Sequence, residues 1–297
     1  MQRREFLIKT GLAAATVPLS DVLLAAPEPG QPAPPNSTPR ATAILQIKDL
    51  EIGKGAPKII ASITASSADQ ALQQADAIAR SGQVDLAELR MDYLPNPGDH
   101  AAMLDLIGRV TYSLQGKPLL ATWRSQQEGG KQPLSDDEYF ALYRAIVEGA
   151  SVDLIDLEMS KPEAQVTALV DAAHGRDIAV ILSNHDFNAT PQQAVIVERL
   201  RRQQALGADI LKIATMPNSP ADVLTLMAAS QEMFTRYAER PLLTMSMGPL
   251  GVTSRVAGQL TGSALTYASV GQASAPGQLQ ADSVRSVLQI IDQGSRA

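Results

Sequence analysis

The feature that most constrains this chain is an alternation of two unlike patterns. From Lys58 onward, eight short apolar runs recur: "KIIASIT", "VDLAEL", "PLLATW", "VDLIDLE", "IAVILSN", "DILKIAT", "PLLTMSM" and "SALTYAS". Near-continuous apolar runs of this length read as strands buried on both faces, as parallel sheets require. Between them lie helical patterns such as "SADQALQQADAIARSG", "DDEYFALYRAIVEGA" and "PQQAVIVERLRRQQALG". Ser135-Asp136 with Gly149, and Thr190 with Gly207, supply capping residues at the starts and glycines at the ends. "ADSVRSVLQIIDQ" adds a last helix. Eight βα units within about 240 residues meet the demand of a (β/α)8 TIM barrel, an α/β fold. A doubly wound open sheet is the competing architecture, but no Gly-rich dinucleotide fingerprint follows any strand. "AILQIKDLEIG", just before the first unit, alternates apolar and polar residues and is expected to form an N-terminal β-hairpin closing the barrel floor.

A barrel places its chemistry at the carboxyl ends of the strands. Polar residues collect there in six consecutive units: Glu88, Arg90 and Asp92; Arg124 and Glu128; Asp156 and Glu158; His185; Lys212; Arg255. Singly, each reads as a solvated residue or half of an ion pair. Lys212 is harder to explain that way, because it lies inside the apolar run "ADILKIATMP" rather than beyond it. Burying its charge is expensive. Desolvation and the nearby Arg90, Arg124 and Arg255 would favour the neutral amine, a nucleophile that condenses with carbonyls to a Schiff base. The alternative is a core ion pair with Asp156.

Of three histidines, only His185 stands at a strand end, where it can take and return a proton. Glu128 is placed to orient its ring. Arg255, with its planar fork, suits a substrate carboxylate. With no cysteine and no spaced histidine pair, neither a metal nor another cofactor is expected. A net charge of −6, without a basic and aromatic stretch, gives no reason to expect nucleic acid.

The first 42 residues are read separately from the fold. "MQRREFLIKTGLAAATVPLSDVLLAA" has paired Arg3-Arg4, a modest apolar run and small residues at its end, the pattern of a twin-arginine export signal over residues 1–26. Residues 27–42 form a Pro-rich spacer, expected to be extended and disordered. Residues 43–297 are then a single catalytic domain, periplasmic rather than cytoplasmic and without stable membrane insertion.

Seven ordered segments carry a resemblance: "AELRMDYL", "TWRSQQEGG", "VDLIDLE", "SNHDF", "ADILKIAT", "MSMGPLGVTSR" and "SAPGQL". Together they resemble the type I 3-dehydroquinate dehydratases, over nearly all of residues 44–293. The resemblance implies an imine between Lys212 and the ketone of 3-dehydroquinate. His185 would remove the adjacent proton and return one to the departing hydroxyl in a syn elimination giving 3-dehydroshikimate, with Glu128 paired to the histidine. It also implies substrate contacts from Glu88, Arg90, Arg124, Arg255, Ser274 and Gln278. Asp156 would provide electrostatic support beside Lys212. "ASAPGQ" would be a closing loop, and a homodimer would follow family habit.

The chain departs from that pattern in several places. Trp123 stands where phenylalanine is usual, Ser125 for threonine, and Tyr267-Ala268 for Phe-Gly. The export signal is the larger departure, and it suggests quinate or shikimate breakdown rather than biosynthesis. Rival readings are another lysine-Schiff-base barrel enzyme of aldolase type, and an exported protein that binds anionic metabolites without reacting.

Overall fold

The computed structural model describes residues 44–271, 275 and 277–295. The segments expected as signal and spacer, residues 1–26 and 27–42, lie outside the described residues, as does Ser274.

Ahead of the βα units, β1 (Leu45–Ile47) and β2 (Leu50–Ile52) pair antiparallel around a two-residue turn. The eight apolar runs then form β3 (Lys58–Ile63), β4 (Leu86–Arg90), β5 (Leu119–Thr122), β6 (Leu154–Glu158), β7 (Ala179–Asp186), β8 (Ile210–Thr215), β9 (Leu242–Ser246) and β10 (Leu265–Tyr267). All are parallel, in the order β10-β3-β4-β5-β6-β7-β8-β9. Between β9 and β10 the ladder narrows to a Leu242–Ser263 bridge, with the Ala264 amide donating to the Leu242 carbonyl at 2.8 Å. The cylinder is thus nearly closed, and helices fill every crossover, as the βα alternation demands.

The long outer helices are α1 (Ala68–Arg80), α2 (His100–Ser113), α3 (Asp136–Gly149), α4 (Glu163–His174), α5 (Gln193–Ala205) and α6 (Pro220–Arg236). Two short ones, α7 (Val252–Val256) and α8 (Gly258–Thr261), follow β9, and α9 (Ala281–Ser295) follows β10. Ser135 caps α3 in a reciprocal box with Glu138, satisfying orphan amides at the helix start. The expected cap at Thr190 is not formed. Helix α5 starts later, after Gln192, so the Thr190 hydroxyl instead reaches across to the Met216 carbonyl at 3.2 Å. Gly207 ends that helix at φ +90°, a left-handed conformation glycine adopts without steric cost. Gly149 acts differently, remaining inside α3 as its last residue.

Period-two alternation sorts the strand residues into two cores. One set, including Ile59, Ala61, Ala87, Leu89, Ala121, Ile155, Val180 and Leu211, faces the helices. The other, including Ile60, Leu86, Leu120, Leu154, Ile181, Ile210, Leu243 and Leu265, fills the cylinder. Ile47 and Ile52 belong to this inner set, so the hairpin closes the floor as its pattern predicts. Two residues further along five of the strands the inner face changes character, while on β9 Leu243 is followed by the apolar Met245. Leu86 gives way to Glu88, Leu120 to Thr122, Leu154 to Asp156, Ile181 to Ser183 and Ile210 to Lys212. The upper half of the barrel is therefore largely polar, with Ala214, Met245 and Met247 left as its apolar side.

Candidate active site

That polar upper half opens into a cavity of about 200 Å³, walled by Glu88, Arg90, Arg124, Glu128, His185, Lys212, Arg255 and Tyr267, with Gln278 reaching in from the last loop. This is smaller than the ~300–1,000 Å³ of sites for drug-sized ligands, so its occupant is a small molecule. The cations Arg90, Arg124, Lys212 and Arg255 gathered around it suit an anion.

Lys212 is buried in a strand whose six residues are all buried. Its Nζ donates to Asp156 Oδ2 at 2.7 Å and to the Tyr267 hydroxyl at 3.1 Å. The core ion pair with Asp156 forms, and the same amine faces the cavity. Burial works to raise the Asp156 carboxyl, but Arg124 and then Lys212 outweigh it and hold the group well below the usual carboxylate range. Asp156 thus stays an anion beneath the amine, with Ser183 Oγ donating to Oδ1 at 2.6 Å.

His185 sits one layer above, on the neighbouring strand: Ser183 pairs in register with Lys212, and His185 with Ala214. Its Nδ1 lies 2.9 Å from Glu128 Oε2, and its backbone amide donates to the same oxygen at 3.1 Å. Nδ1 facing a carboxylate carries the proton, which leaves Nε2 as the basic atom. Burial, then Arg124 and Lys212, push the imidazole well below the usual histidine range, so it is neutral at neutral pH. Phe187 stacks beside the ring, centroids 6.4 Å apart. The other histidines lie elsewhere, His174 exposed and bonded to Asp209, His100 half-buried at the start of α2.

Arg124 organises the carboxylates. It donates to Asp156 Oδ1 at 2.7 Å and to Glu158 Oε1 at 3.0 Å, and Nη1 lies 3.6 Å from Glu128 Oε2. Burial opposes its charge, yet Asp156, Glu158 and Glu128 raise it well above the usual arginine value. Burial also pushes Glu128 and Glu158 up, and Arg124 opposes it in both. Glu158 lies behind Arg124 with its second oxygen buried and unpartnered among the described residues. Arg90 forms a two-pronged pair with Asp92, at 2.8 and 2.9 Å, which fixes its fork at the cavity edge. Arg255, on α7, is pulled down to about 10 by burial, with Tyr267 acting against the shift.

Glu88 accepts from three hydroxyls: Ser62 at 2.6 Å, Thr122 at 2.9 Å and Tyr267 at 3.0 Å. Of the site residues expected from sequence, all but Ser274, which is not described, meet around this cavity, with Asp156 just beneath it. Sequence reasoning counted Glu158 among the strand-end charges and Tyr267 among the departures from the family pattern, but gave neither a role in the site. Both carried a usable signal, standing two residues beyond an inward-facing position, Leu265 and Asp156 respectively.

A family model described as type I 3-dehydroquinase matches residues 59–295. A 3-dehydroquinate dehydratase of Salmonella agona is 47% identical over 247 residues, 83% of this chain and 98% of that protein. Among solved structures, the type I 3-dehydroquinate dehydratase of Clostridium difficile, solved with covalently modified comenic acid, superposes with a TM-score of 0.83. It is 38% identical and covers 86% of this chain and 100% of its own. The 3-dehydroquinate dehydratase of Enterococcus faecalis gives a TM-score of 0.79 at 42% identity, over 83% of this chain and 98% of that one.

Proposed function

The chain belongs to the type I 3-dehydroquinase family, and from that premise we infer that it dehydrates 3-dehydroquinate to 3-dehydroshikimate through an imine on Lys212. The observation that carries the chemistry is the stacking of one amine and one imidazole in adjacent layers of neighbouring strands, both facing the same small cavity. Lys212 Nζ attacks the ketone, and water leaves as the imine forms. The protonated imine draws electrons from the next carbon, which makes its proton removable. His185 Nε2, neutral and oriented by Glu128, accepts that proton and delivers one to the departing hydroxyl on the same face. Hydrolysis of the imine then releases product and restores the amine.

Asp156, held as an anion, supports the positive charge on nitrogen throughout. Arg255 and Arg90 are the candidate carboxylate and hydroxyl contacts at the rim, Glu88 and Arg124 line the wall, and Gln278 approaches from the loop side. Ser274 completes this set by its place in the "SAPGQL" motif.

Borohydride reduction in the presence of 3-dehydroquinate tests the mechanism. The expected result is a mass adduct on Lys212, absent in Lys212→Ala, which should be folded and inactive. An active Lys212→Ala protein would dismiss the imine. A protein that binds the compound tightly yet forms no adduct would be a binder.

The Arg3-Arg4 pattern and Pro-rich spacer support an exported, periplasmic enzyme of quinate or shikimate breakdown, with residues 1–26 removed as a signal and residues 43–297 acting as the catalytic domain. Cell fractionation that finds the protein wholly in the cytoplasm overturns this location.

A further inference from the structure

Tyr267 is the one inward-facing side chain of β10 at the level of the reacting amine. Its phenol does two things at once. It accepts a hydrogen bond from Lys212 Nζ at 3.1 Å and donates one to Glu88 Oε1 at 3.0 Å. A phenylalanine, the residue expected here from the family pattern, could fill the same space but make neither bond. The hydroxyl therefore needs a reason beyond packing.

A buried ammonium must lose a proton before it can attack a ketone, and the nearest carboxylate is a poor acceptor. Asp156 bonds Nζ at 2.7 Å, but Arg124 holds it as an anion from the other side. Glu88 is differently placed. Among the described residues its hydrogen bonds come from the neutral hydroxyls of Ser62, Thr122 and Tyr267, with the charge of Arg90 nearby. The phenol joins the amine to this second carboxylate in a continuous hydrogen-bonded chain.

We propose that Tyr267 is a catalytic residue of this enzyme, relaying a proton from Lys212 Nζ to Glu88 for imine formation and back again. In the forward step, an Nζ–H proton passes to the Tyr267 oxygen as the phenol's own proton passes to Glu88 Oε1. This leaves a neutral amine, an intact phenol and a protonated Glu88. The amine adds to the ketone to give a carbinolamine. The proton held on Glu88 then returns through the same phenol to the carbinolamine hydroxyl, which departs as water. The nitrogen keeps one proton and the positive charge, and Glu88 is again a carboxylate, so protons and charge balance. The phenol never needs to ionise in this relay. Burial, then Glu88 and Asp156, raise it well above the usual tyrosine value, which keeps it protonated between transfers.

The inference rests on the imine reading above, so its test must separate the two. Rapid-quench borohydride trapping with 3-dehydroquinate, read by the mass on Lys212, gives the rate of imine formation across neutral pH. The charged and titratable groups facing the relay are Glu88, Arg90, Arg124, Asp156, His185 and Arg255; they stay unchanged in Tyr267→Phe, which also keeps the ring that fills the interior. Water must then replace the phenol. The expected loss is therefore about tenfold in trapping rate rather than the 10²–10⁴ typical of a full acid–base group. The variant's rate should rise with pH where the wild type is flat, while KM changes little.

Glu88→Gln keeps the shape and an acceptor but cannot hold the proton, and should show the same pH-dependent loss. The double variant should be no slower than the slower single one, because both changes break one chain. An unchanged trapping rate in Tyr267→Phe, or a loss equal at every pH, overturns the relay while leaving the imine intact. An additive double variant does the same. Failure of the wild type to form any adduct overturns both readings.

Discussion

At the scale of single residues, the site is a set of charges whose ionisation is fixed by neighbours rather than by type. His185 shows this best. Burial, Arg124 and Lys212 lower its proton affinity, so the basic form persists well below the usual pKa of about 6.5. The acid limb of kcat/KM should accordingly lie below that of an exposed histidine, which a pH–rate profile checks; a limb at or above pH 6.5 contradicts it.

The same shift affects stability. Below about pH 6.5 the unfolded chain binds a proton on this histidine that the folded protein refuses. His185 therefore costs stability progressively as pH falls from there toward its folded value. Urea melts of wild type and His185→Gln should converge at neutral pH and diverge on acidification. Asp156 works in the opposite sense to a repulsive group: it is what lets Lys212 and Arg124 be buried together. Asp156→Asn leaves two buried cations short of a counter-charge and should cost about 3–5 kcal/mol by chemical denaturation, as well as suppressing turnover.

At the scale of elements, the turn after β5 carries as much of the design as the strands do. Gly129 ends the short helical turn Gln126–Glu128 at φ +88°. A Cβ there would clash with the ring of Phe187, the same ring that stacks on His185. Gly129→Ala combines backbone strain with displacement of the imidazole's neighbour. Turnover should fall by about 10–100-fold, the scale of a misplaced catalytic group, with the melting temperature shifted less than by a core cavity. The cap of α3 offers the contrast. Ser135→Ala should cost about 1 kcal/mol of stability and leave kcat unchanged, since the reciprocal box with Glu138 is exposed and joins only residues of that helix start.

At the scale of the whole barrel, stability and chemistry occupy opposite ends of one cylinder. Ile52 is fully buried at the floor, in the inner apolar set, layers away from Lys212. Ile52→Ala should lower stability by about 2–5 kcal/mol through a cavity while kcat and KM stay near wild type. A large change in KM would mean that the floor is coupled to the mouth.

The amino-acid sequence by itself determined the barrel, because eight apolar runs between amphipathic helices leave few other ways to bury both faces of every strand. It also determined the height of the chemistry, since period two carries Leu86 to Glu88 and Ile210 to Lys212 on one inner face. Local pattern was less decisive at helix starts, where Thr190 found a partner in another strand's end rather than in its own helix. What only the tertiary structure decided was the set of partners around the cylinder. Tyr267 and Glu88 are 179 positions apart, yet their strands both flank β3, and ring closure brings them within a hydrogen bond. Spacing along a chain gives the face and layer of a side chain; only closure of the barrel determines which charges it meets, and so which protons it can move.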